Sequence, residues 1–248
     1  MDTVLLTALF VGGATIVGGA VGLFFRSTSK AFCDAVLSFA AGVMLAASML
    51  GLILPSLECG GEMGVFTTVL GIFLGAFCVN ALDMLVPVIC GRRLAADETG
   101  GERIKRVLLF VMAIALHNLP EGIAAGVGFG TGDASDAFLI ATAIALQNIP
   151  EGLIVTVAML GVGIKPSRAF LFSALTGVVE IFGTFIGYLA INISSVMLPL
   201  ILALAGGTML YVISEEMIPE THSGEGGRLS TYFLLIGFSL MLIFDAFL

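Results

Sequence analysis

Long apolar runs alternate with short polar connections along the whole chain. Eight runs stand out, near residues 3–25, 31–54, 64–89, 106–129, 137–160, 168–191, 196–216 and 230–247. About 20 residues at ~1.5 Å rise cross the ~30 Å hydrocarbon layer, so each run predicts one transmembrane helix. Two runs break the apolar pattern in mid-span, one with Ala-Ile-Ala-Leu-His-Asn-Leu-Pro-Glu-Gly at 113–122, the other with Ala-Ile-Ala-Leu-Gln-Asn-Ile-Pro-Glu-Gly at 143–152. Eight of the ten positions are identical, which marks an internal repeat. Apolar packing gives no reason to keep a carboxylate, an amide and a proline together, so something polar is expected between the two spans.

Composition narrows the class. Of 248 residues 58% are hydrophobic and 11% charged, against roughly a quarter charged in soluble domains. The runs consume most of the length, which predicts an all-α integral membrane protein of eight helices, a single polytopic domain over 1–248 with no room for a soluble catalytic domain. The first run lacks a basic n-region and is too long for a signal-peptide core, so it reads as a retained helix. The four cysteines have no Cys-x-x-Cys spacing and mostly sit in or beside apolar runs, where a thiol behaves as a small hydrophobe.

The placement of charge says more than the net of −8. All ten basic residues fall in alternate connections: Arg26 and Lys30, then Arg92, Arg93, Arg103, Lys105 and Arg106, then Lys165 and Arg168, then Arg228. Lys/Arg bias fixes orientation, so these connections are expected in the cytoplasm and both termini outside. The opposite connections carry Glu58, Glu62, Asp133 and Asp136, an acidic mouth that attracts cations. The connection at 91–105 is the longest and reads as mobile.

Taken as helices, the cassettes set His117 and Glu121 on one face, with Asn118 on the adjoining edge, and Gln147, Asn148 and Glu151 likewise. Pro120 and Pro150 each remove a backbone hydrogen bond in mid-helix and predict kinks, which Gly122 and Gly152 keep uncrowded. The two spans run in opposite directions, so their cassettes can meet at one depth. Span 6 adds Glu180 in mid-run, where a carboxylate costs at least about 2.5 kcal/mol and by default marks a functional site. Three carboxylates with no Lys or Arg at their depth require a bound dication, or protons in its absence. Nitrogen and oxygen donors together suit first-row divalent ions, zinc first, iron(II) and manganese next. Met44 offers a thioether in span 2, and Glu215, Glu216, Glu220 and His222 at the end of span 7 form either an exit path or a wet helix end. Span 1, rich in glycine, is assigned to packing alone. The pairs Gly71/Gly75 and Gly183/Gly187 point to close helix contacts, within one chain or between two copies as a homodimer.

These residues resemble the ZIP family of zinc and iron transporters, in its bacterial GufA-like branch. The likeness rests on His-Asn-x-Pro-Glu-Gly in span 4, Gln-Asn-x-Pro-Glu-Gly in span 5, Glu180 in span 6, Ala-Ala-Gly-Val-Met-Leu-Ala-Ala-Ser in span 2 and Glu-Met-Ile-Pro-Glu-Thr-His after span 7. It implies a two-metal centre between spans 4 and 5. Carried over, His117, Glu121, Gln147 and Glu151 would hold a first ion with Met44 at its edge, while Asn118, Glu121, Asn148, Glu151 and Glu180 would hold a second. Asn148 stands where similar proteins often have Asp. With three ionised glutamates, one dication leaves the cluster at −1 and two leave it at +1, so a strong first site and a weaker second are expected. The connection between spans 3 and 4 lacks the histidines of many relatives, which argues against cytoplasmic metal sensing through it.

The expected activity is inward movement of a divalent metal, Zn2+ with Fe2+, Mn2+ or Cd2+ as alternatives, across the cell (inner) membrane. The expected partners are divalent metal ions and the lipid bilayer, not nucleic acid. A selective divalent channel with the same ligands stays open, distinguished by flux that does not saturate. A membrane-embedded metal enzyme is disfavoured by having only two histidines and no further acid–base group beside the cluster. A network of amides and protonated glutamate gluing two helices would not account for the recurrence of Pro and Glu at matched depth.

Overall fold

A computed structural model describes residues 2–25, 29–94, 101–130, 134–193, 197–222 and 227–247. Helix is the only regular structure among them, and it forms eight rods. These are α1 (Asp2–Gly22), α2 (Lys30–Ala47), α3 (Gly64–Leu94), α4 (Gly101–Val127), α5 (Ala134–Gly161), α6 (Pro166–Ile193), α7 (Leu198–Val212) and α8 (Gly227–Phe247). Two rods continue through a wider π-helical stretch: α2 through Ser48–Ile53 into Leu54–Cys59, and α7 through Ile213–Met217 into Ile218–His222. Each apolar run of the sequence has become one rod. Among the described residues seven are long and apolar enough to cross a bilayer, and α4 is 27 residues long.

The boundaries have local causes. Ser29 caps α2, its hydroxyl accepting from the Phe32 amide at 3.2 Å. Pro199 lies in the first turn of α7, where its missing N–H loses nothing. Between α5 and α6 the chain turns through Gly163 at φ 84°, a conformation that side chains with a Cβ rarely adopt. Helix also claims much of the long 91–105 connection, up to Leu94 and again from Gly101; residues 95–100 lie outside the described residues, as do Arg26 and Asp133. Asp34 stands near the cytoplasmic end of its apolar run, where a solvated carboxylate is expected, yet it is 7% exposed at the head of α2. It is buried, with both carboxylate oxygens 3.0 Å from Lys30 Nζ one turn back.

Packing sorts the rods into two groups of four. α1, α4, α5 and α6 pack together, and α2, α3, α7 and α8 pack together. Glycine lets the backbones touch inside each group. A Cβ on Gly18 or Gly152 would come within 2.1 Å of a carbonyl oxygen across the α1–α5 contact, Gly187 would meet the Ile123 carbonyl of α4 at 2.2 Å, and Gly12 the Gly177 carbonyl of α6 at 2.3 Å. In the second group Gly42 and Gly237 bring α2 against α8, and Gly71, Gly75 and Gly207 bring α3 against α7. The Gly71/Gly75 and Gly183/Gly187 pairs therefore both serve contacts within the chain.

The seam between the groups is built differently. There α2 meets α5 through side chains, with Val43, Ala46 and Ala47 beside Ala143, Leu139 and Leu146. Among the described residues a Cβ on Gly51, in the π-helical stretch, would meet only the Ile140 side chain, its Cγ1 at 3.0 Å. The outer surface is apolar: Phe66, Phe73 and Phe77 on α3, Leu171 and Phe182 on α6, and Tyr232, Ile236 and Ile243 on α8 are all exposed. An apolar exterior of this extent fits lipid contact rather than water.

Candidate metal centre

Both cassettes sit inside uninterrupted helix, so Pro120 and Pro150 each withdraw one backbone donor without ending the element. Their glycines do more than keep the prolines uncrowded. A Cβ on Gly122 would stand 2.2 Å from the Glu180 carbonyl, and one on Gly152 would stand 2.1 Å from the Thr15 carbonyl. Each cassette glycine is thus the point where a neighbouring helix docks, bringing a further polar residue to the same depth.

Asn118, Glu121, Gln147, Asn148 and Glu180 are fully buried, and Glu151 is 6% exposed. Gln147 Nε2 donates to Glu121 Oε1 at 2.8 Å, joining α5 to α4. Glu180 on α6 accepts from Asn118 Nδ2, from Asn148 Nδ2 at 2.6 Å, and from Thr15 Oγ1 of α1, which lies 2.8 and 3.0 Å from its two oxygens. Asn148 Nδ2 also reaches the Val11 carbonyl at 3.2 Å.

What these bonds leave over is informative. Asn118 Oδ1, Glu121 Oε2, Gln147 Oε1 and Asn148 Oδ1 are buried with no hydrogen-bond partner among the described residues. A carboxylate accepts only, so each amide that serves one must present its nitrogen and turn its oxygen away. A buried acceptor left empty costs about 1–3 kcal/mol, and four within two matched cassettes call for a common explanation. A cation supplies it. Among the described residues no three His, Cys, Asp or Glu side chains form a group that could hold an ion, and carboxamides lie beside the glutamates there. His117 lies in α4 with its side chain outside the described residues. Met44 is 1% exposed, in a core that also holds Ile144 and Leu153 of α5.

A cavity of about 370 Å³ runs along the seam to this group. Ile114 and Glu151 line it from one bundle; Leu37, Val212, Met217, Glu215, Glu216 and Glu220 line it from the other. A second cavity of about 320 Å³ shares Leu37 and Glu220 with it. Its wall gathers Cys33 and Asp34 from the start of α2, Val107 from near the start of α4 and Ala158 from near the end of α5. These are the ends that adjoin the basic connections. His222 lines neither cavity: its Nδ1 is 3.0 Å from the Ile218 carbonyl and its Nε2 is 3.1 Å from Thr231 Oγ1, which makes it part of the helix end.

Sequence reading missed Thr15 and the Val11 carbonyl. A threonine in an apolar helix is ordinary, and a carbonyl leaves no mark in the sequence at all.

Known proteins resemble this chain in sequence. A family model described as ZIP Zinc transporter matches residues 93–245. The chain is 36% identical to the zinc transporter GufA of Myxococcus xanthus over 251 residues, covering 99% of this chain and 98% of that protein. It is 39% identical to the zinc transporter ZIPB of Bordetella bronchiseptica over 241 residues, covering 94% and 77% respectively.

Proposed function

The chain belongs to the ZIP zinc transporter family, and from that premise we propose that it carries zinc into the cytoplasm by way of the buried group between α4 and α5. It is a multi-pass membrane transport protein and not an enzyme. The observation that carries the reading is the set of four buried oxygens, on Asn118, Glu121, Gln147 and Asn148, without a partner among the described residues, in the two cassettes of which Glu151 lines the cavity. His117, Glu121, Gln147 and Glu151 would hold the first ion, with Met44 at its edge. Asn118, Asn148 and Glu180, together with both cassette glutamates, form a weaker second position, since Glu180 is already committed to three donors. Oxygen-rich ligation leaves Fe2+, Mn2+ and Cd2+ as competitors.

The cavity opens toward the ends that carry Lys30, Lys165 and Arg228, the cytoplasmic side by the charge rule. The ion leaves past Glu215, Glu216 and Glu220. Alternating access follows if one four-helix group shifts against the other, because backbone contacts join all four rods of the first group and the α2–α8 and α3–α7 pairs of the second, while the seam is side-chain packing. The cell (inner) membrane is the setting.

Radioactive zinc uptake into vesicles reconstituted with the purified protein tests this. Saturable uptake, inhibited by competing Cd2+, Fe2+ or Mn2+ and lost in Glu121→Ala and Glu151→Ala, is expected. Normal uptake in either variant would overturn the site, and flux that rises without saturation would favour a channel.

A further inference from the structure

Most threonines that bond within these helices turn back on themselves. Thr67, Thr176, Thr184, Thr208, Thr221 and Thr231 each give the hydroxyl to a carbonyl three or four residues earlier in the same rod. This is the ordinary way for an apolar helix to satisfy a hydroxyl. Thr15 departs from it. Fully buried at the middle of α1, it reaches across to α6 and bonds both oxygens of Glu180. Its own backbone is held by close approach on two sides: a Cβ on Gly152 of α5 would meet its carbonyl at 2.1 Å, and one on Gly177 of α6 would lie 3.2 Å from its Cβ.

The partners continue the pattern. Glu180 takes the amide hydrogens of Asn118 and Asn148, and Asn148 gives a further bond to the Val11 carbonyl, one turn before Thr15. One side chain from each of α1, α4, α5 and α6 therefore meets at a single carboxylate. Because both amide nitrogens face that carboxylate, both amide oxygens face away from it, and neither has a partner among the described residues.

We propose that Thr15 is a positioning residue for metal binding: it holds Glu180 in the orientation that turns the oxygens of Asn118 and Asn148 toward the ion. Thr15 does not touch the ion itself. The inference rests on the transport reading above and deepens it, by giving α1 a role in affinity. Second-shell partners of this kind fix ligand orientation and change metal affinity.

The test uses the full-length protein in vesicles and in detergent. Thr15→Val keeps the shape and removes the hydroxyl; Thr15→Ser keeps the hydroxyl. We expect Thr15→Val to raise the KM for zinc and the equilibrium zinc Kd about tenfold, the size of one hydrogen bond to a charged group, with kcat changed far less. Thr15→Ser should restore both constants. Combined with Asn148→Ala, the valine change should add less than it does alone, since one of the two amide oxygens that Glu180 orients is then gone. An unchanged KM and Kd in Thr15→Val, a defect that serine does not rescue, or additive effects in the double variant would each overturn the role. Should the valine protein not be monodisperse, Thr15→Ala makes the same comparison. Failure of the transport reading is separate: it would appear as absent zinc uptake in the unaltered protein.

Discussion

Glu121 divides its carboxylate between two tasks. One oxygen receives the Gln147 amide, and the other is buried without a partner among the described residues. Glu121→Gln keeps the size of the side chain and removes its charge. A ligand bound only by the folded state stabilises by RT ln(1 + [L]/Kd), about 2.7 kcal/mol at a hundredfold excess over Kd. Zinc should therefore raise the unfolding temperature of the unaltered protein in detergent and leave that of Glu121→Gln unmoved. An equal rise in both would place the ion elsewhere. The cassette residues were legible beforehand because carboxylates and amides recurring in apolar runs have few other uses. Glu180 was legible for the same reason, yet its engagement with Thr15, Asn118 and Asn148 was not, since it depends on which way each amide turns.

Glycine separates the helices that look alike in sequence. Gly12, Gly13, Gly18, Gly19 and Gly22 make one undifferentiated stretch, but a Cβ on Gly13 would meet nothing within 4 Å among the described residues, whereas one on Gly18 would strike the Ile149 carbonyl at 2.1 Å. The same contrast gives a paired prediction. Gly152→Ala should lower thermal stability by about 1–3 kcal/mol, the range for overpacking, because the obstacle is backbone and cannot rotate away. Gly13→Ala should lose nothing and gain up to about 1 kcal/mol from helix propensity. Thermal unfolding of both variants in detergent checks this, and equal behaviour would mean that α1 is not held against α5 as described. The π-helical stretches in α2 and α7 had no signature in the apolar pattern. Both rods belong to the same four-helix group, and both stretches face the seam or its cavity, through Gly51 against Ile140 and through Glu215, Glu216 and Met217.

The molecule as a whole is two bundles with the buried group on one of them. α1, α4, α5 and α6 carry every candidate ligand except Met44, which α2 offers from across the seam. If transport moves one bundle against the other, a bond across the seam must stop it and a bond within one bundle must not. In a background free of the native cysteines, Gly51→Cys with Ile140→Cys joins α2 to α5, and Ser56→Cys with Thr68→Cys joins α2 to α3, where the two hydroxyl oxygens are 2.7 Å apart. Thiol-specific cross-linking should abolish zinc uptake reversibly in the first pair and leave the second at its uncross-linked rate. Uptake that survives the first cross-link would exclude relative movement at this place.

Eight spans, the alternation of basic connections, the two cassettes and the preference for a divalent ion all follow from local facts: how many apolar residues cross a bilayer, and how much a bare carboxylate costs inside one. Neighbours in the chain carry that information. The division into two bundles does not, because α1 packs with α5 and α6 while α2, next in sequence, packs with α8. Nor does the place of Thr15, since it depends on which backbone comes close enough to touch, and that is fixed only when glycines bring separate helices together.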